Sequence, residues 1–194
     1  METLRQTILK EKDIQNYKVS SEYKDVLDVL TMAYTTLVEC RGKKVDMNQQ
    51  QKETISIVSR WLCGEGKVGL LLYGTYGTGK TTMLNSILYT MRYYNRRYLM
   101  TSAKSIVEVP DENYVWEYPL IIDELGREPN TRKSFGNESE PMIDIIVRRE
   151  KMGYPTIIAT NLTDEEIKVK YGLYIADRFR GSYSRIFYRN KSYR

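Results

Sequence analysis

Eight consecutive residues, Gly74, Thr75, Tyr76, Gly77, Thr78, Gly79, Lys80 and Thr81, carry the spacing GxxxxGK[ST]. That spacing suits a polyphosphate. Gly74, Gly77 and Gly79 can take backbone conformations closed to residues with a Cβ, so the loop can turn its N–H groups inward around phosphate oxygens. Lys80 is placed to reach the β- and γ-phosphates, and the Thr81 hydroxyl to ligate Mg²⁺. The flanks separate this reading from a chance Gly-rich turn. Val68 to Tyr73 reads as a buried strand, and Thr82 to Asn95 as a helix whose N-terminus favours anions.

A second cluster completes such a site. Leu120, Ile121 and Ile122 form an apolar strand that ends in Asp123 and Glu124. Asp123 at the strand tip can hold Mg²⁺, and Glu124 is placed to polarise a water that attacks the γ-phosphate. Thr156 to Asn161 is a third apolar run ending in polar residues. Asn161 can orient that water or sense the phosphate; alternatively it or Thr163 caps the following helix, and both hold if Thr163 caps while Asn161 points inward. Farther on, Arg178 and Arg180 lie on a helix beyond this strand. A charged pair there is a surface salt bridge, or an arginine offered to a neighbouring subunit's γ-phosphate, with Arg178 the first choice.

These groups need a scaffold that brings strand tips together. Candidate strands are 68–73, 97–101, 119–123, 155–160 and 185–188, and helical patterns fill 79–95, 102–108, 138–152 and 163–171. Such alternation predicts an α/β fold with a parallel sheet covered on both faces. Pro119 and Pro155 sit at strand starts, where a missing N–H is tolerated. The polar stretch from Arg127 to Asn137 reads as a mobile loop near the site. Upstream, Tyr23, Val26, Leu27, Leu30, Tyr34, Leu37 and Val38 have helical spacing, and Arg41, Gly42, Lys43 and Lys44 stop that helix. A second helix is expected from about Asn48 to Cys63, capped by Asp46 or Asn48.

The chain has 194 residues, 41% of them hydrophobic and 28% charged, as expected for one globular domain with at most a small appendage. It contains no histidine, which excludes His-based catalysis and the usual zinc sites. Cys40 and Cys63 lack CxxC spacing and are expected free, in a reducing compartment. With no signal peptide and no membrane-length apolar run, a cytoplasmic location is expected. The net charge of +5 equals that of residues 171–194 alone, where Arg178, Arg180, Arg185, Arg189, Lys191 and Arg194 oppose Asp177. Arg92, Arg96, Arg97 and Lys104 alternate with Tyr93, Tyr94 and Tyr98. This second cluster suits single-stranded nucleic acid, or it is a solvated helix end whose tyrosines pack on the sheet.

Lys80 in its cradle, Ile122 to Gly126, Ile158 to Leu162, Tyr171 and Gly172 with Asp177 and Arg178, and the ending Ser192 to Arg194 together resemble the AAA+ helicase loaders of bacterial replication. These are the DnaC/DnaI type, close kin of the IstB transposition ATPases. The resemblance covers roughly residues 47–194, leaving 1–46 as a short arm plus a helix near 20–40 that is either a candidate partner-binding segment or a packing element of the core. It implies a P-loop fold with a five-stranded parallel sheet, here without a C-terminal helical lid because little chain follows the last strand. It also implies an ATPase using ATP and Mg²⁺ that assembles with its own copies, contacts single-stranded DNA and loads or remodels a replicative helicase. By position, Lys80 and Thr81 bind phosphate and Mg²⁺, Asp123 and Glu124 form the metal and water pair, and Asn161 is the first sensor. Arg178 is the finger acting in trans, and Arg194 a second nucleotide-sensing arginine.

A transposase-assisting ATPase is the near alternative, separable by preference for double-stranded DNA. A nucleotide kinase fits less well because Glu124 suits water activation and no Arg-rich lid lies between the later strands. A GTPase is disfavoured because Leu162 stands where a guanine-reading motif carries Lys.

Overall fold

The computed structural model describes residues 18–109, 119–134 and 137–189. Its elements, in chain order, begin with α1 (Tyr23–Glu39), α2 (Gln49–Leu62), β1 (Gly69–Gly74), α3 (Lys80–Tyr93), β2 (Leu99–Ser102) and α4 (Ala103–Glu108). They continue with β3 (Leu120–Leu125), β4 (Arg132–Ser134), β5 (Asn137–Ser139), α5 (Pro141–Lys151), β6 (Thr156–Thr160), α6 (Asp164–Ser182) and β7 (Tyr183–Tyr188). Five strands form one sheet in the order β2-β3-β6-β1-β7, all parallel. Every strand therefore ends at the same edge, and the loops carrying the candidate site residues leave from it.

Strand alternation assigns the two faces. Leu70, Leu72, Ile121, Ile157 and Ala159 are buried with α1, α2 and α3. Leu71, Leu120, Ile122 and Ile158 are buried with α4, α5 and α6. Each central strand is covered on both sides, which is why these runs are apolar throughout rather than alternating with polar residues. The upstream helix joins the first face: Val26, Leu30, Tyr34 and Val38 are buried in the same cluster as Leu70 and Leu72. Asn48 caps α2, its side chain accepting the Gln51 N–H at 2.9 Å.

Three differences from the sequence reading have local causes. The stretch expected to be a mobile loop carries Glu128, only 3% exposed, and its later part pairs as the antiparallel hairpin β4–β5. The helix expected from 138 starts instead at Pro141, because Asn137–Ser139 is in that hairpin and Pro is favoured at the first helical position. The helix expected over 163–171 runs on to Ser182 through a break at Gly172, whose φ of 82° leaves the helical region.

The tyrosine and arginine cluster divides. Tyr98 is buried and Tyr94 is half-buried, while Tyr93 is exposed and Arg92 lies 5.7 Å from the Tyr89 ring. This group sits where α3 ends, away from the sheet edge that bears the glycine-rich loop. Cys40 and Cys63 are free, and among the described residues no helix is long and apolar enough to cross a membrane.

Candidate nucleotide site

The glycine-rich loop leaves β1 and closes at the start of α3. Gly74 has φ of 144°, and a Cβ there would stand 2.2 Å from the Tyr188 carbonyl oxygen on the neighbouring strand. No other residue fits so close to β7. Gly77 and Gly79 also have positive φ, at 77° and 98°. Lys80 folds back inside the loop, donating to the carbonyls of Gly74 and Thr75, each at 2.7 Å. Burial lowers its pKa to about 8, against the opposing pull of Asp123.

Asp123 and Glu124 owe their orientation to a bulge. Ile122 pairs with Ile158 and Leu125 with Thr160, so three steps on β3 match two on β6. Glu124 lies at the bulge with φ of 57°, an uncommon backbone region for a residue with a side chain. Asp123 accepts the Thr81 hydroxyl at 2.8 Å through one carboxylate oxygen and the Glu124 N–H at 2.8 Å through the other. Burial raises the Asp123 pKa despite these two bonds, so a cation beside it restores its charged form. A hydroxyl next to a desolvated carboxylate is an oxygen-only donor set of the kind Mg²⁺ takes.

Tyr76 to Thr82, Asp123, Glu124, Thr160 and Asn161 line one cleft of about 180 Å³. Asn161 faces the cleft, while Thr163 caps α6 in a reciprocal bond pair with Glu166. The Thr160 hydroxyl is turned away, donating to the Leu125 carbonyl at 2.7 Å and tying β6 to the end of β3.

Arg178 lies elsewhere. It is on the last part of α6, ion-paired with Glu150 of α5 and hydrogen-bonded to the Tyr174 hydroxyl, and it does not line the cleft. Arg194 falls outside the described residues.

The sequence reading missed four residues here. Arg41 and Lys43 line the cleft, with Arg41 donating to the Thr82 hydroxyl at 2.8 Å. Both were visible only as a basic helix stop. Arg127 also lines it, 2.7 Å from Glu124 and 5.4 Å from the Tyr76 ring. Beneath them Glu128 accepts the Gly126 N–H at 2.9 Å and the Tyr171 hydroxyl, with Lys170 3.9 Å away. Burial, then the bond to Glu128, pushes the Tyr171 pKa up. No spacing in the sequence distinguishes Glu128 from a solvated loop acid.

No protein-family model and no curated protein matches this chain. Solved structures do. A crystal structure of DnaI aligns at a TM-score of 0.62 and 20% identity, covering 78% of this chain and 88% of that one. A crystal structure of the DnaC helicase loader aligns at 0.59 and 18%, covering 75% and 94%. The replication initiator DnaA, bound to AMPPCP and single-stranded DNA, aligns at 0.52 and 17%, covering 72% of this chain and 47% of that one. The chain thus has the α/β P-loop fold of the AAA+ proteins, in the form it takes in DnaI and DnaC.

Proposed function

We propose that the protein binds ATP with Mg²⁺, hydrolyses the ATP, and acts in DNA replication by loading or remodelling a replicative helicase on single-stranded DNA. One observation carries the chemistry: the Thr81 hydroxyl and the Asp123 carboxylate meet at 2.8 Å beside the buried Lys80 ammonium, at the mouth of a glycine-rich loop. The replication role is supported by the fold shared with DnaI and DnaC.

In this reading Gly74 to Gly79 surround the phosphates, and Lys80 holds the β- and γ-phosphate oxygens. Thr81 and Asp123 hold Mg²⁺, which supplies neutralisation of charge developing on the phosphate oxygens. Glu124 accepts the proton of the attacking water, and Asn161 orients that water from the tip of β6. Arg178 acts on a neighbouring copy and not in its own cleft, which fits its place on the far part of α6. Arg194 is a second nucleotide-sensing residue, and residues 1–46 contribute the partner-binding segment, using surface that α1 does not spend on the core.

Steady-state ATP hydrolysis, with and without single-stranded and double-stranded DNA, tests the reading. Turnover stimulated by single strands supports it, stimulation by duplex alone favours the transposase-assisting alternative, and absence of ATP binding refutes it. A coupled assay with a hexameric helicase and a single-stranded circle tests the loading step.

A further inference from the structure

The cleft has two walls of different charge. On one side stand Asp123 and Glu124, the latter engaged with Arg127. The turn that follows α1 contributes the cations Arg41 and Lys43 to the same lining. Successive hydroxyls at the start of α3 mark the division: Thr81 donates to Asp123, whereas Thr82 accepts from Arg41.

The turn that delivers these cations is built for it. Gly42 takes φ of 68°, its N–H bonds to the Glu39 carbonyl at 2.8 Å, and the Lys43 N–H returns to the Val38 carbonyl at 3.3 Å. That pair of bonds closes α1 with a left-handed glycine and reverses the chain. Arg41 and Lys43, on either side of the glycine, therefore reach the same cleft instead of pointing apart along a continuing helix. Helix termini attract cations in general, but that attraction needs no arginine aimed at the first turn of another helix. Charge balance agrees. Among the described residues, Arg41, Lys43, Lys80 and Arg127 against Asp123 and Glu124 leave the lining at a formal +2, which matches the charge of about −2 on a triphosphate carrying one divalent cation.

We propose that Arg41 and Lys43 form a second phosphate clamp, which holds the phosphate next to the nucleoside and ties α1 to nucleotide occupancy. The proposal rests on the nucleotide-binding reading above. The acidic wall marks the end where the terminal phosphate is attacked, so the basic wall beside Thr82 faces the nucleoside end. The ligand class is then a nucleoside di- or triphosphate, since both carry the phosphate that the clamp reads.

Binding of ATP, ADP and inorganic pyrophosphate, each with Mg²⁺, to the full chain tests this by calorimetry. Arg41→Ala is expected to weaken ATP and ADP alike by about tenfold or more, the scale of a lost charged hydrogen bond. Arg41→Lys is expected to recover part of the loss. Pyrophosphate, whose two phosphates are those the cradle and Mg²⁺ hold, leaves the position next to the nucleoside empty and is expected to lose much less. Lys43→Ala, at an exposed position where folding is not in question, is expected to weaken both nucleotides as well. Unchanged nucleotide affinity in Arg41→Ala with a lowered unfolding midpoint overturns the clamp and leaves Arg41 a tie between two helices. Equal losses for pyrophosphate and ATP overturn its assignment to the nucleoside end. Lys80→Ala separates the two readings: if it and the wild type bind ATP alike, or neither binds, the cradle itself has failed.

Discussion

Lys80 donates to the carbonyl of Gly74 across 2.7 Å, from inside the loop that Gly74 opens. The ammonium is therefore buried among neutral acceptors, and its pKa falls from 10.5 to about 8. The sign follows. Between these two values the unfolded chain binds more protons than the folded one, so the nucleotide-free protein gains stability as pH rises from about 8 to 10.5.

A triphosphate in the cradle reverses the preference, because its charge favours the ammonium. ATP binding above pH 8 is expected to take up protons, and affinity is expected to fall as pH rises from 7 to 9. Calorimetry in two buffers of different ionisation enthalpy measures the uptake, and Lys80→Met is expected to abolish both it and most of the affinity. An affinity that is flat across that range contradicts the role given to Lys80.

Glu124→Gln keeps the size and the hydrogen-bonding reach of the side chain while removing the carboxylate proposed as the base. Nucleotide affinity is expected to stay within a few-fold of wild type, while turnover falls by about 10²- to 10⁴-fold, the usual contribution of a positioned base. Single-turnover measurements with ATP check the chemical step itself. A Gln variant that turns over normally removes Glu124 from the mechanism.

Strand tips were legible in the sequence because chemistry and periodicity coincide there. The apolar run before Gly74 and the acid pair after Ile122 each satisfied a packing rule and a site rule with the same residues. What stayed hidden depends on contacts between segments far apart in the chain. Arg41 reads as a helix-ending basic residue until the fold sets α1 against α3 and brings it to Thr82. Asp123 and Glu124 were readable as an acid pair, but the bulge that aims them needs the register against β6, which one sequence does not disclose. Glu128 was the plainest miss. A polar stretch with Pro129 and Asn130 has the composition of a loop, and the Tyr171 hydroxyl, the Gly126 N–H and the Lys170 ammonium together explain a buried carboxylate within it.

Glu128 consequently carries a stability prediction. Glu128→Ala leaves the Tyr171 hydroxyl and the Gly126 N–H without their acceptor in a buried place, at an expected cost of about 2–4 kcal/mol. Glu128→Gln keeps an acceptor and is expected to cost less. Denaturant unfolding measures both, and Tyr171→Phe combined with Glu128→Gln is expected to be less damaging than the sum of the two. Strictly additive losses would mean that the two side chains do not share one network.

Arg178 requires an experiment that separates two roles, because it is already occupied within its own subunit. Its guanidinium is ion-paired with Glu150, the side chains being 18% and 15% exposed, and Ser182 also donates to Glu150. Arg178→Ala is expected to destabilise the folded chain by about 1–3 kcal/mol, since a largely buried carboxylate loses its cation. Glu150→Gln in the same chain removes that orphaned charge and is expected to restore most of the stability. If Arg178 also serves a neighbour's γ-phosphate, the stable double variant still fails to hydrolyse ATP. Mixing it with Glu124→Gln subunits then returns part of the activity, because some interfaces pair an intact Arg178 with an intact Glu124. A double variant that hydrolyses ATP alone restricts Arg178 to holding α5 against α6. Such an outcome leaves the proposed ATPase site complete within one chain.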